Sequence, residues 1–200
     1  MKLAVDIDGV LSNFCDAFAK ILTDQTGMAF PKTSVDWPEC WDWDRAAGVT
    51  PEQETAAWKT VWGDAEFWLN LRMFPETQLV ATQLNYLSKI GHEVVFITNR
   101  AGERAKNQTE RWLYGIGIDY PTVLLAANKI PLIRLLGIDF FIDDNLDTVN
   151  EVARVAEEEK LPVYGHVYLK AAAYNRTGRR GDLKVVDGVL EALRLEGLWK

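Results

Sequence analysis

The first strand-like segment of the chain ends in two aspartates. The apolar residues 3–5 are followed by Asp6-Ile7-Asp8-Gly9-Val10. Like charges this close destabilise each other unless a cation or a shared proton intervenes. In open α/β sheets, ligands bind at the carboxyl ends of the strands, where these two side chains emerge. Asp6 and Asp8 therefore predict a nucleophile that is assisted by a metal ion and paired with a general acid and base.

Further polar side chains follow the later strand-like segments directly. Because the carboxyl ends of parallel strands meet along one edge of a sheet, we expect these side chains to gather beside the first pair. Several carboxylates suit Mg²⁺, and a hydroxyl and an ammonium group suit a phosphoryl group. The set comprises Thr98, with Asn99 and Arg100 after it, Lys129, Asp143 and Asp144.

The elements that must position these residues alternate along the chain. Apolar runs predict strands, and segments with helical spacing predict helices between them, which indicates an α/β fold with a parallel sheet wrapped by helices. Predicted strands cover residues 3–5, 93–97, 122–125, 140–142, 162–169 and 184–186. Predicted helices cover residues 13–26, 76–90, 103–114, 128–136, 146–160 and 188–195.

Residues 30–74 break this alternation. Thr50-Pro51-Glu52-Gln53 is typical of a helix start, with Thr as the N-cap and Gln three residues later. We predict a helical cap inserted between the first two strands, with most of its tryptophans forming the cap's own small core. One or two could face a ligand instead, because Trp offers a flat stacking surface. The segment holds Trp37, Trp41, Trp43, Trp58, Trp62 and Trp68, of 8 tryptophans in the chain.

Composition and local patterns disfavour several classes of protein. The net charge of −7 disfavours nucleic-acid binding, which usually needs a basic face. Cys15 and Cys40 have no spacing typical of a zinc site or a disulfide framework. The N-terminus lacks the apolar run of a secretion signal, and no run approaches the length of a membrane span. We expect a cytoplasmic protein without a membrane partner, and a homodimer remains open.

These segments resemble, in order, the four motifs of the haloacid dehalogenase (HAD)-like phosphohydrolases. The motif DxDG[TV] is residues 6–10, the strand ending in Ser or Thr is 94–98, the lone basic residue is Lys129, and the strand ending in Asp-Asp is 140–144. Arg104 and Lys106 compete with Lys129 for the basic position. The resemblance implies a Rossmann-like core of residues 1–14 and 75–200, with residues 15–74 as a small inserted helical cap.

The resemblance also implies catalytic roles. Asp6 would be the nucleophile that forms an aspartyl-phosphate, and Asp8 would protonate the leaving oxygen and then deprotonate the attacking water. Thr98 and Lys129 would hold the phosphoryl oxygens.

The resemblance implies Mg²⁺ as the cofactor. Asp6, Asp143 and the backbone carbonyl of Asp8 would bind it, and Asp144 would support the metal or orient Lys129.

Within that group, the chain is most similar to the 5′(3′)-deoxyribonucleotidases. The similar segments are Val10–Phe14, residues 66–71 with the following Phe74-Pro75, and Ala173–Arg176. By this resemblance, Phe14 and either Phe67 or Trp68 would flank a nucleobase. Asn99 and Arg100, next to Thr98, are further candidates for substrate contact.

The function expected is therefore Mg²⁺-dependent hydrolysis of a phosphomonoester, with a (deoxy)nucleoside monophosphate as the substrate. Three alternatives stay open: a phosphatase for a sugar phosphate or other small metabolite, a phosphatase for polynucleotide ends, and an inactive protein that binds a phosphate ligand. The basic stretch 170–184 is either a solvated loop or an arm that attracts anionic substrates.

Overall fold

The computed structural model describes residues 1–30 and 38–199, in which a six-stranded parallel sheet forms the centre of the protein. The strand order is β3-β2-β1-β4-β5-β6. This confirms the predicted α/β class. The strands are β1 (Lys2–Val5), β2 (Glu93–Thr98), β3 (Val123–Leu125), β4 (Phe140–Asp143), β5 (Val167–Lys170) and β6 (Lys184–Val186).

Helices connect these strands. They are α1 (Phe14–Thr26), α2 (Trp43–Ala46), α3 (Pro51–Gly63), α4 (Thr77–Lys89), α5 (Ala105–Gly115), α6 (Ile130–Leu136), α7 (Leu146–Glu159) and α8 (Val189–Leu195). None of them, within the described ranges, combines the length and the apolar character that crossing a membrane requires.

The pairing of β1 with β4 sets the position of the acidic residues. Val5 pairs with Ile142, and the backbone amide of Asp6 donates to the carbonyl of Ile142 at 3.0 Å. Both strands are buried on both faces, which explains why their sequences are continuous apolar runs. The register therefore places Asp6 beside Asp143 at the same edge of the sheet.

The segment between β1 and α4 forms a helical layer over that edge. The capping box predicted at Thr50 is present, because the Gln53 amide donates to Thr50 Oγ1 at 3.3 Å and the Thr50 amide donates to Gln53 Oε1 at 2.9 Å. Helices α1 and α3 pack together around an apolar cluster that includes Phe18, Leu22, Val49, Ala57, Val61, Phe67, Trp68 and Leu71. Trp37 lies outside the described residues.

The domain division at residues 14/15 and 74/75 stays a prediction, and α1 begins at Phe14, at the first boundary. Most predicted element bounds lie within two residues of the observed ones, and two differences matter here. Strand β5 begins at Val167 rather than at residue 162, because residues 161–166 form a turn in which Gly165 has a φ of +82°. Helix α6 begins at Ile130, so Lys129 precedes it rather than lying within it.

Candidate active site

A cavity of about 960 Å³ lies between the carboxyl edge of the sheet and the helical layer. Its lining comes from both parts of the chain, so a ligand there would contact the strand ends and the inserted segment together. The sheet side contributes Asp6, Asp8, Thr98, Asn99, Lys129, Asp143 and Asp144. The opposite side contributes Phe14, Phe18, Trp41, Trp43, Trp58 and Trp68.

Lys129 joins the aspartates of two strands. Its ammonium group donates to Asp6 Oδ1 at 2.5 Å and to Asp143 Oδ2 at 2.7 Å, and all three side chains are buried. The competing cations are elsewhere: Lys106 is exposed and pairs with Glu110, and Arg104 lies beside Glu103. The structure thus brings Lys129 to the acidic residues and leaves the alternatives on the surface.

Burial shapes the charge states of this group. Burial raises the pKa of Asp6 well above its ordinary range, against the opposing effect of Lys129. Burial alone would lower the pKa of Lys129, but the carboxylates of Asp143 and Asp6 raise it above its ordinary value, so the ammonium form is favoured. Burial, together with Asp143, also raises the pKa of Asp144 to about 7.

Three carboxylates could hold a metal ion together. Asp6, Asp143 and Asp144 each offer one oxygen, and these atoms lie within 4.8 Å of one another. The Asp8 side chain does not belong to this group, because it pairs with Arg100. An all-oxygen, carboxylate-rich set is the kind that Mg²⁺ prefers.

Asp144 is held by residues that follow β5. The Tyr174 hydroxyl donates to its carboxylate, and Asn175 Nδ2 donates to its backbone carbonyl at 2.8 Å. The Lys129 ammonium group donates to Asp6 and Asp143. Sequence reasoning gave Tyr174 and Asn175 no role, although both lie in the segment that resembles the nucleotidases.

Thr98 presents a buried hydroxyl that lacks a hydrogen-bond partner among the described residues. The side chain is 1% exposed and lines the cavity beside Asp6 and Lys129. An unsatisfied buried hydroxyl costs free energy, and in native proteins it usually marks a place where a water or ligand atom binds.

Arg100, a candidate for substrate contact, contacts another side chain of the site instead. Its side chain is buried, does not line the cavity, and forms a bidentate pair with Asp8. The sequence offered no signal for this pairing, because the two residues are 92 positions apart. Asn99, by contrast, is exposed and lines the cavity.

The three aromatic candidates separate into two groups. Phe14 and Trp68 line the cavity, whereas Phe67 does not. Phe67 is buried and packs edge-on against Phe14 and Trp68, with ring centroids at 6.2 and 4.9 Å. Phe67 therefore packs behind the two lining rings, and contact of these aromatic residues with a base stays a prediction.

The basic stretch 170–184 is only partly directed at the site. Lys170, Arg176 and Arg179 line the cavity. Arg180 instead pairs with Glu157 and Asp182, and Lys184 lies near Glu196, away from the cavity lining.

Comparison with solved structures identifies the class of fold. A provisionally assigned haloacid dehalogenase-like hydrolase from Burkholderia xenovorans LB400 matches with a TM-score of 0.57 at 10% identity, covering 99% of this chain and 97% of that one. A provisionally assigned beta-phosphoglucomutase from Thermotoga maritima matches with a TM-score of 0.52 at 14% identity, covering 98% of each chain. The fold is the HAD-like one.

The family follows from the sequence profile. The profile described as "5' nucleotidase, deoxy (Pyrimidine), cytosolic type C protein" matches residues 1–167, and the chain belongs to that family. No curated protein matches the chain significantly. The family and the fold together make the protein a HAD-type phosphatase.

The approach of Gly9 to Asp144 generates a test of the site. Gly9 has a φ of +80°, and a Cβ there would lie 2.0 Å from Asp144 Oδ2. Gly9→Ala should therefore displace the Asp144 carboxylate and reduce phosphatase activity, besides the cost of about 1–2 kcal/mol for the left-handed backbone. Urea unfolding and a phosphate-release assay measure the two effects.

Gly27→Ala is the matched control for this change. Gly27 has a φ of +70° and no atom within 4 Å of the added Cβ. Gly27→Ala should lose only the stability that the left-handed backbone costs, and it should keep its activity. Wild-type activity in Gly9→Ala would show that the close contact with Asp144 is unimportant for the site.

Proposed function

We propose that the protein is an Mg²⁺-dependent phosphomonoesterase that acts on (deoxy)nucleoside monophosphates through an aspartyl-phosphate on Asp6. The observation that carries the proposal is the buried group of Asp6, Lys129 and Asp143, with the Thr98 hydroxyl beside it, which has no hydrogen-bond partner among the described residues. It combines a nucleophile, a positive charge and a hydroxyl donor in one buried place.

The acidic residues fit a divalent cation. Asp6 and Asp143 share one ammonium group, and Asp144 accepts a hydrogen bond from a neutral phenol. Among the described residues, a single ammonium group therefore contacts this set of three carboxyl groups. We propose that Asp6, Asp143 and Asp144 hold Mg²⁺, with the backbone carbonyl of Asp8 as a further ligand. When bound, the ion would offset carboxylate repulsion and charge on the phosphoryl oxygens.

The first step transfers the phosphoryl group to the protein. An oxygen of Asp6 attacks phosphorus, the bond to the ester oxygen breaks, and Asp8 gives that leaving oxygen a proton. Lys129 and the Thr98 hydroxyl would hold the phosphoryl oxygens by charge-assisted hydrogen bonds, which are stronger than neutral ones.

The second step regenerates the enzyme. Asp8, now a carboxylate, takes a proton from a water molecule, and the water oxygen attacks phosphorus. The bond between phosphorus and Asp6 breaks, and inorganic phosphate leaves. Positioned acid and base groups of this kind contribute about 10²–10⁴-fold to the rate.

The substrate class rests on the cavity wall and the family. Phe14 and Trp68 belong to an aromatic wall of the cavity, in which Phe14 stacks on Phe18, Trp58 and Trp68 at centroid distances of 5.3, 5.5 and 5.8 Å, and an aromatic wall suits a nucleobase. The family description names deoxy and pyrimidine 5′ nucleotidase activity, and we infer a substrate of that kind. Its words "cytosolic type" accord with the cytoplasmic location that we propose.

A panel of phosphomonoesters tests the function. We expect phosphate release from deoxynucleoside monophosphates to exceed release from sugar phosphates, and chelation of Mg²⁺ to abolish both. Preference for sugar phosphates would favour the metabolite phosphatase, and polynucleotide ends as the preferred substrate would favour the end-processing enzyme. Absence of turnover on every ester with Mg²⁺ present would leave the inactive binding protein.

Phe14→Leu tests the proposed base contact. Stacking on an aromatic ring is worth about 1–3 kcal/mol, so KM for a nucleotide should rise by about 5–150-fold. KM for p-nitrophenyl phosphate, which carries no base, should change less. Phe67→Leu is the matched control, because Phe67 packs behind the lining rings, and its effect on nucleotide KM should be smaller. Equal KM changes for both substrates would contradict base stacking by Phe14.

A further inference from the structure

The carboxylate of Asp8 accepts three hydrogen bonds from two buried side chains. Arg100 Nε donates to Asp8 Oδ2 at 2.9 Å, and Arg100 Nη2 donates to Asp8 Oδ1 at 2.9 Å. Ser12 Oγ also donates to Oδ1, at 2.7 Å. The two-point contact, or fork, from Arg100 fixes both the position of the Asp8 carboxylate and the orientation of its plane.

The two oxygens of Asp8 are not equivalent. Each carboxylate oxygen can accept about two hydrogen bonds. Oδ1 already receives two, from Ser12 and Arg100, whereas Oδ2 receives one among the described residues. Because Asp8 lines the cavity, Oδ2 is the oxygen with capacity left to exchange a proton with a ligand.

Arg100 is itself held rigidly. Its side chain is 0% exposed, and Nη1 donates to Thr109 Oγ1 at 3.2 Å. The guanidinium carbon lies 5.0 Å from the centroid of the Trp68 ring and 5.3 Å from that of the Trp112 ring, so the group is enclosed between two indoles. Arg100 does not line the cavity, and among the described residues its hydrogen bonds go to Asp8, Ser12 and Thr109.

Trp68 connects this pair to the inserted segment. Its indole Nε1 donates to the carbonyl of Ala101 at 3.0 Å, and its ring also lines the cavity. Trp68, near the end of the inserted segment, therefore contacts both the cavity and Arg100, which holds Asp8.

We infer that Arg100 is a positioning residue for proton transfer: it holds Asp8 so that Oδ2 serves both as the acid and as the base of the proposed reaction. This role rests on the proposed function. In the first step, Oδ2 carries the proton that passes to the leaving oxygen, and in the second step the same oxygen receives the proton of the attacking water. Arg100 does not touch the substrate.

Arg100→Lys is the sharpest variant, because lysine keeps the charge but cannot form the two-point fork. The readout is kcat/KM, which reports the steps up to phosphoryl transfer, for two esters with different leaving groups. A nucleotide has an alkoxide leaving group that needs the proton, and p-nitrophenolate does not. We expect a loss of about 10²-fold or more on the nucleotide and under about 10-fold on p-nitrophenyl phosphate.

Arg134→Lys is the matched control. Arg134 forms a similar two-point contact with Glu159, with Nε 2.8 Å from Oε2, but on the surface and away from the cavity. It should leave kcat/KM unchanged for both esters. Arg100→Ala, if it folds, should regain nucleotide hydrolysis when guanidinium ion is added, because that ion can offer Asp8 the same two-point contact.

Three results would overturn the inference. Equal losses on the two esters would indicate a structural or binding role, and unchanged kcat/KM in a folded Arg100→Lys would show that the two-point contact with Asp8 is unnecessary for phosphoryl transfer. A loss that follows only the melting temperature would indicate stability alone. If the wild type is active on both esters, these outcomes reject the positioning role and spare the proposed function. A wild type inactive on both esters rejects the two together.

Discussion

Repulsion among buried carboxylates is the constraint on which the rest of this structure depends. The register of β1 against β4 forces Asp6 next to Asp143, and burial makes their charges costly. Lys129, at the start of α6, lies between them and donates to both. Gly9 leaves room for Asp144 on the same side, and Tyr174 binds that carboxylate. Each of these features accommodates negative charge at one sheet edge, so a change in one is expected to affect the others.

The two aspartates of the first motif have separate cations. Asp6 and Asp8 are two residues apart, yet Asp6 contacts Lys129 and Asp8 contacts Arg100. Different partners give neighbouring carboxylates different environments, which is the usual physical basis for assigning them different chemical roles. In the proposed reaction, Asp6 attacks phosphorus and Asp8 moves protons. This difference in roles follows from the contacts with Lys129, in the β3–α6 connection, and with Arg100, in the β2–α5 connection. It does not follow from the motif itself.

The sequence was informative where local physics decides the outcome. Continuous apolar runs such as 140–142 predict buried strands, and the polar residues after them, including Thr98 and Asp143, therefore meet at one edge. The helix start at Thr50 depends on neighbouring residues alone. What could not be predicted depends on distant side-chain packing. Neither the pairing of Arg100 with Asp8 nor the position of Phe67 behind Phe14 leaves a local pattern.

The central claim is that Asp6 becomes covalently phosphorylated while Asp8 moves the protons. It is tested most directly by acid quenching of the Asp8→Asn variant during reaction with p-nitrophenyl phosphate and Mg²⁺, followed by peptide mass mapping. That leaving group needs no proton, whereas hydrolysis of the intermediate needs the missing base, so the phosphoryl group should accumulate on Asp6. Release of p-nitrophenolate that is matched by free phosphate, with Asp6 unmodified throughout, would contradict the account.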